Sequence, residues 1–160
     1  MADQSEAANA MYGRAKAFPD GPLKGWLTWS LGQDPYETYN GPFGFRPEDG
    51  GAGLSAFAPQ PHHLNGSGAI HGGALLSFAD FALFSIAHNS LKGGVQTVTL
   101  TLNAEFVGAG DLSALLYARG EVVRETGGLV FARGLITQSE RTLLSFSGTL
   151  RKLRNREPKP

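Results

Sequence analysis

His71-Gly72-Gly73 opens the longest apolar segment of this chain, and nine residues past the histidine the segment carries a single carboxylate, Asp80. An ionised acid among apolar neighbours is costly unless it is paired or used. One helical turn to either side stand Leu76, Ser77, Leu83 and Phe84, none of which neutralises a carboxylate. The acid therefore works on a ligand, bonds to a neighbouring strand, or lies on a helix face more open than the sequence suggests. In hydrolysis, such a carboxylate either activates water as general base or attacks as nucleophile. At the head of the same segment the first helical N–H groups lack internal partners and the macrodipole adds partial positive charge, which suits a developing oxyanion. Gly72 and Gly73 would let a substrate carbonyl approach that backbone, although glycines there also suit a tightly packed helix entry. His71 can orient the loop, contact substrate or cap the helix.

Spacing limits how these groups can cooperate. Gly72 and Asp80 are eight residues apart, about 12 Å along a helix axis at 1.5 Å per residue, so one helix cannot bring both to one carbonyl. If both serve one reaction, Gly72 of one chain faces Asp80 of another, and a two-fold symmetric dimer achieves this twice. An obligate dimer is expected.

The elements that must hold these residues follow from pattern. A chain of 160 residues with 41% hydrophobic residues suffices for a single core. Residues 1–34 read as an N-terminal arm with a short helix within 1–17, broken by Phe18-Pro19-Asp20-Gly21-Pro22; its Trp26 and Trp29 are expected to pack onto the domain. Residues 35–153 form the domain, and 154–160 a basic, solvated tail. Within the domain, 36–45 and 53–58 read as strands, His62 and His63 as solvated loop residues, and 72 to about 89 as a buried helix. After Lys92-Gly93-Gly94 the period becomes two: Val98, Leu100, Leu102, Ala104 and Phe106 should face the core, with Thr97, Thr99, Thr101, Asn103 and Glu105 opposite. Further strands are expected at 112–124, 129–138 and 142–152 as an antiparallel meander. The fold class is α+β, a curved antiparallel sheet around one helix.

Other chemistries find little support. Lys+Arg and Asp+Glu balance at 14 each, so neither nucleic acid nor an anionic membrane is an expected partner. The chain has no cysteine, which removes disulfides, thiolate nucleophiles and cysteine metal sites. Met1 to Asn9 do not read as a signal peptide, and no charge-free apolar run reaches spanning length, so a cytoplasmic protein is expected. No Gly-x-Ser-x-Gly elbow, dinucleotide fingerprint or phosphate loop is present. His62, His63, His71 and His88 lack metal-ligand spacing, and no metal site is expected.

Asn65, then His71-Gly72-Gly73 six residues on, then Asp80 in an Ala/Leu-rich helix, a Gly-Gly turn and the strand Val98-x-Leu100-x-Leu102-Asn103 together resemble the hotdog-fold acyl-CoA thioesterases. More narrowly, they resemble the phenylacetate-degradation (PaaI-like) branch, and the similarity covers about residues 36 to 152. It implies a hotdog fold, a curved antiparallel sheet wrapped around one long central helix. It also implies that the Gly72 amide and Asn65 side chain of one subunit polarise a thioester carbonyl while Asp80 of the other activates water or attacks. A hydroxyl on the next strand would assist, and alignment gives that role to Thr99, although alternation alone turns Thr99 away from the apolar face. His71 and Gly73 belong to the same set, Gly73 on the substrate side. Asn65 also has an ordinary reading as a turn residue.

The implied reaction is hydrolysis of an acyl-CoA thioester with no metal or redox cofactor, coenzyme A being part of the substrate. Arg119, Arg124, Arg133, Arg151 and Lys152 are candidates for its phosphates. A homodimer is implied, or a homotetramer built from two. A non-catalytic acyl-CoA or fatty-acid binding protein is the alternative; a hydratase or dehydratase ranks lower, because those pair Asp with His in a different motif. Phe78, Phe81 and Phe84 either line an acyl pocket or fill the core.

Overall fold

A computed structural model describes residues 15–29, 31, 34–50, 52–91 and 95–153. Its strands are β1 (Lys16–Ala17), β2 (Leu27–Thr28), β3 (Phe43–Pro47), β4 (Gly53–Phe57), β5 (Thr97–Phe106), β6 (Leu116–Glu125), β7 (Leu129–Gln138) and β8 (Arg141–Lys152). They form one sheet in the order β1-β2-β3-β4-β6-β7-β8-β5, antiparallel at every pairing. A short helix, α1 (Pro35–Asn40), precedes β3, and the central helix, α2 (Gly72–Ile86), joins β4 to β5 at the far edge. The fold is α+β, a single long helix against a curved sheet.

The core lies between α2 and the concave face of the sheet. Phe43, Phe57, Phe78 and Phe81 pack ring against ring at centroid distances of 4.9 to 5.6 Å. Burying a side chain of this size stabilises by about 2 to 3 kcal/mol. Phe78 and Phe81 are thus core residues, while Phe84 is only partly buried. A row of glycines lets the helix come close. A Cβ on Gly120 would lie 2.7 Å from Ile86 Cδ1, one on Gly134 3.1 Å from the same atom, and one on Gly148 would overlap Leu83 Cδ1.

Several elements differ from the sequence expectation. Residues 35–40 are helical because Asp34 caps the turn, accepting from the Glu37 N–H at 2.9 Å, with Pro35 in the first turn. β6 starts at Leu116 because Gln138 reaches back across the preceding turn, its Nε2 donating to the carbonyls of Asp111 and Ala114 at 2.8 Å each. Within the expected arm, β1 and β2 extend the sheet, and Leu23, Trp26 and Leu27 are buried. The expected helix within 1–17 falls almost wholly outside the described residues, as do the turn at 92–94 and the tail at 154–160. His63 is buried, contrary to the solvated position its polar loop suggests.

Gly148→Ala should lower stability by about 1 to 3 kcal/mol, because the added methyl meets Leu83 and the Thr101 carbonyl where helix and sheet touch. The urea midpoint would show this; an unchanged midpoint would mean the helix has room to retreat.

Candidate active site

On α2, Gly72, Gly73, Ala74, Leu76, Ser77, Asp80 and Phe84 keep partial or full exposure, while most of their neighbours are buried. Gly73, Ser77, Asp80 and Phe84 recur at helical spacing and form one stripe. Asp80 therefore sits at the margin of the core rather than inside it. Its Oδ1 accepts a hydrogen bond from Thr99 Oγ1 at 2.7 Å.

That bond corrects the expected facing of β5. Thr99 pairs with Leu150, but Thr101 pairs with Thr149, so a β-bulge between them inserts one extra residue. The bulge inverts the alternation. Before it, Thr99 looks toward the helix; after it, Leu102 and Ala104 pack against the core. Val98 and Leu100, expected inside, are 39% and 49% exposed.

The head of α2 is capped by His71, whose Nδ1 accepts from the Gly73 N–H at 2.9 Å. The Gly73 amide is thereby engaged. The Gly72 N–H takes no acceptor among the described residues. Gly72 is also where β5 approaches, since a Cβ there would stand 3.0 Å from Phe106 Cε1.

Asn65 lies in the hairpin that leads into this cap. Its Oδ1 accepts from the N–H groups of Ser67 and Ala69 at 2.8 and 3.2 Å, as a turn residue would. With the carbonyl oxygen committed, the Nδ2 amide protons are left to donate outward. His63 fastens this hairpin to α1. Its Nδ1 accepts from the Gln60 N–H and its Nε2 donates to the Asn40 carbonyl, each at 2.8 Å, while its own carbonyl accepts from the His71 N–H at 2.7 Å. Burial, then the neighbouring His62, pushes the His63 ring below its usual value, against the pull of the Asn40 carbonyl.

α1 lies against the same stripe. The Tyr36 hydroxyl and Ser77 Oγ are 2.8 Å apart, one turn before Asp80. Trp29 stacks on Phe81 with ring centroids 4.4 Å apart, and its indole N–H donates to the Glu37 carboxyl. Burial, then the charge of Asp34, raises the Glu37 carboxyl to about 8; the Trp29 hydrogen bond opposes this and Asp80 adds to it. Glu37 thus joins the site without any sign in the sequence. The Asp34-Pro35 cap could have revealed its helix, but its approach to Asp80 depends on tertiary packing.

The model of the thioesterase superfamily matches residues 67–145, a span that holds the helix cap, Asp80 and Thr99. The chain belongs to the thioesterase superfamily. None of the curated proteins matches it in sequence. Solved structures share its fold. A conserved protein from Pseudomonas aeruginosa aligns at TM-score 0.68 and 20% identity, covering 75% of this chain and 94% of that one. The PaaI protein of the E. coli phenylacetic acid degradation operon aligns at 0.65 and 23%, covering 76% and 86%. A Bacillus halodurans protein solved with CoA aligns at 0.63 and 22%, covering 70% and 74%.

Around this thioesterase-superfamily core the cations are unequally committed. Arg133 pairs with Glu121 at 2.6 Å, Arg119 with Glu48 at 3.5 Å, and Lys152 with Glu125. Arg124 and Arg151 have no such pairing among the described residues. No group of three or more His, Asp or Glu among the described residues is arranged to hold a metal ion. Nor is any helix there long and apolar enough to cross a membrane.

A raised carboxyl means the native state binds the extra proton more tightly than the unfolded chain. Glu37 should therefore stabilise fully below its unfolded value of 4.5 and lose that contribution as pH rises through about 8. His63 acts in the opposite sense, costing stability as pH falls below 6.5. Glu37→Gln should remove the first effect, so its melting temperature should gain on wild type between about pH 5 and about pH 9. Parallel melting curves across that range would contradict the assignment.

Proposed function

We propose that the protein hydrolyses an acyl-CoA thioester to a free acid and coenzyme A, in a site shared between two copies of the chain and without metal or redox cofactor. The observation that carries this reading is a single helix with an uncommitted Gly72 N–H at its head and a Thr99-bonded Asp80 two turns further on. The first suits an oxyanion, and the second suits a general base or nucleophile. Family membership supports the substrate class, as does the CoA with which the Bacillus halodurans relative was solved.

β5 supports a shared site. It ends the sheet, so one of its edges is unpaired among the described residues, and Val98, Leu100 and Phe106 are exposed along it at 39%, 49% and 54%. Exposed apolar edge strands invite pairing with another chain. Thr99, bonded to Asp80, and Phe106, against Gly72, stand near opposite ends of β5. Antiparallel pairing of two β5 strands about an axis near Leu102 and Asn103 would bring Thr99 of one copy beside Phe106 of the other. Asp80 would then approach the Gly72 of the other copy, as the helix length requires. Asn65 adds its amide donors at that end, His71 holds the cap, and Gly73 leaves space for the acyl carbonyl. Arg124 and Arg151, the uncommitted cations, are the first candidates for the CoA phosphates. A cytoplasmic enzyme is the matching expectation.

Thiol release from short, medium, long and aromatic acyl-CoAs tests the reading directly, with Asp80→Ala run beside wild type. Wild-type turnover with loss of on the order of 1,000-fold or more in the variant is the expected result. Tight acyl-CoA binding with no thiol release would instead favour a binding protein.

A further inference from the structure

Glu37 is fixed over the turn that carries Asp80 from two directions. The Tyr36 hydroxyl, on the same short helix, meets Ser77 one turn before Asp80, and the indole that donates to the Glu37 carboxyl stacks on Phe81, the residue after Asp80. Glu37 Oε2 is enclosed, and it has no hydrogen-bond partner among the described residues. Asp34, which caps its own helix, and Asp80 on the central helix both present negative charge to it. His63, at the other end of α1, is occupied by the Asn40 carbonyl and the Gln60 N–H. A neutral carboxyl in this setting has an O–H to give and no protein acceptor for it.

We propose that Glu37 is the general acid of the reaction, its carboxyl O–H protonating the coenzyme A sulfur as it leaves. The inference rests on the thioesterase reading above. Water attacks the acyl carbon and gives a proton to Asp80; the C–S bond breaks, and its electron pair takes the proton of Glu37. The products are the carboxylic acid and the free thiol. Asp80 is left protonated and Glu37 ionised, and return of that proton from Asp80 to Glu37 through solvent restores both. The shift of the Glu37 carboxyl to about 8 keeps it protonated through neutral pH, whereas an ordinary glutamate would have lost its proton.

A general acid matters most when the leaving group is basic, which separates this role from a structural one. The test compares kcat/KM for two thioesters of one acyl group, the coenzyme A ester and the thiophenol ester, in wild type and Glu37→Gln. Glutamine keeps the size of the side chain and an acceptor for Trp29 but has no acid to give. The variant should lose on the order of 100-fold on the coenzyme A ester and change little on the thiophenol ester, whose thiolate leaves unaided. Equal losses on both esters, or none on either, would overturn the proposal.

Should the variant fail to fold, wild type alone decides. Its preference for the thiophenol ester should grow as pH passes about 8, and a ratio constant with pH would overturn the assignment. Wild type that cleaves neither ester removes the thioesterase reading and this proposal together. Asp80-dependent cleavage that ignores Glu37→Gln removes only the role of Glu37.

Discussion

The structure depends on how closely one helix can lie in one sheet. Where β6, β7 and β8 pass beneath the C-terminal half of α2, glycines at 120, 134 and 148 replace side chains that would crowd Ile86 and Leu83. Protein interiors leave no slack for even a methyl group at such contacts. The helix sinks in and buries Phe78, Ala79, Phe81, Ala82, Leu83 and Ile86. Its remaining stripe carries Gly73, Ser77 and Asp80. Packing alone therefore decides which helical residues are available for chemistry, and the carboxylate is among them.

The stripe is completed by what borders it. β5 lies along one side, and the bulge at Leu100 turns the Thr99 hydroxyl toward Asp80 while later apolar residues still reach the core. α1 lies across another part, held by the Tyr36 contact with Ser77 and by His63 at its C-terminal end. The hairpin containing Asn65 runs from His63 to the His71 cap, so the amide side chain, the cap and α1 form one hydrogen-bonded unit. A shift of any one of these would be felt by the others. This coupling suits a reaction whose donors must hold their positions while charge develops.

Much of this is legible in the sequence, for reasons that can be named. A long run that is apolar on nearly every side marks the central helix, the period of two after residue 94 marks the strand beyond it, and the isolated Asp80 marks the candidate site. The facing of β5 is not legible, because a bulge leaves no reliable trace in alternation: Val98 and Leu100 continue the apolar pattern although the strand has turned over. The residues of α1 read as strand because tyrosines and threonine there favour extended backbone, and the Asp34-Pro35 cap outweighs them. His63 looks solvated beside His62 in a polar loop, since its burial against Phe57 is decided by elements distant in sequence. Glu37 carries no signal at all until the fold is known.

In the proposed reaction each site takes its oxyanion donor from one chain and its carboxylate from another. Gly72→Pro deletes the N–H at a helical position that favours proline, and His71 before it already has the extended backbone that proline requires, at φ −63° and ψ 138°. Phe106 is 54% exposed and has room to yield to the ring. Gly72→Pro and Asp80→Ala should each give a folded, inactive dimer. Unfolding and refolding the two together should restore about a quarter of wild-type thiol release, because half of the dimers are mixed and each mixed dimer has one intact site. Mixed dimers that form and stay inactive would contradict the shared site.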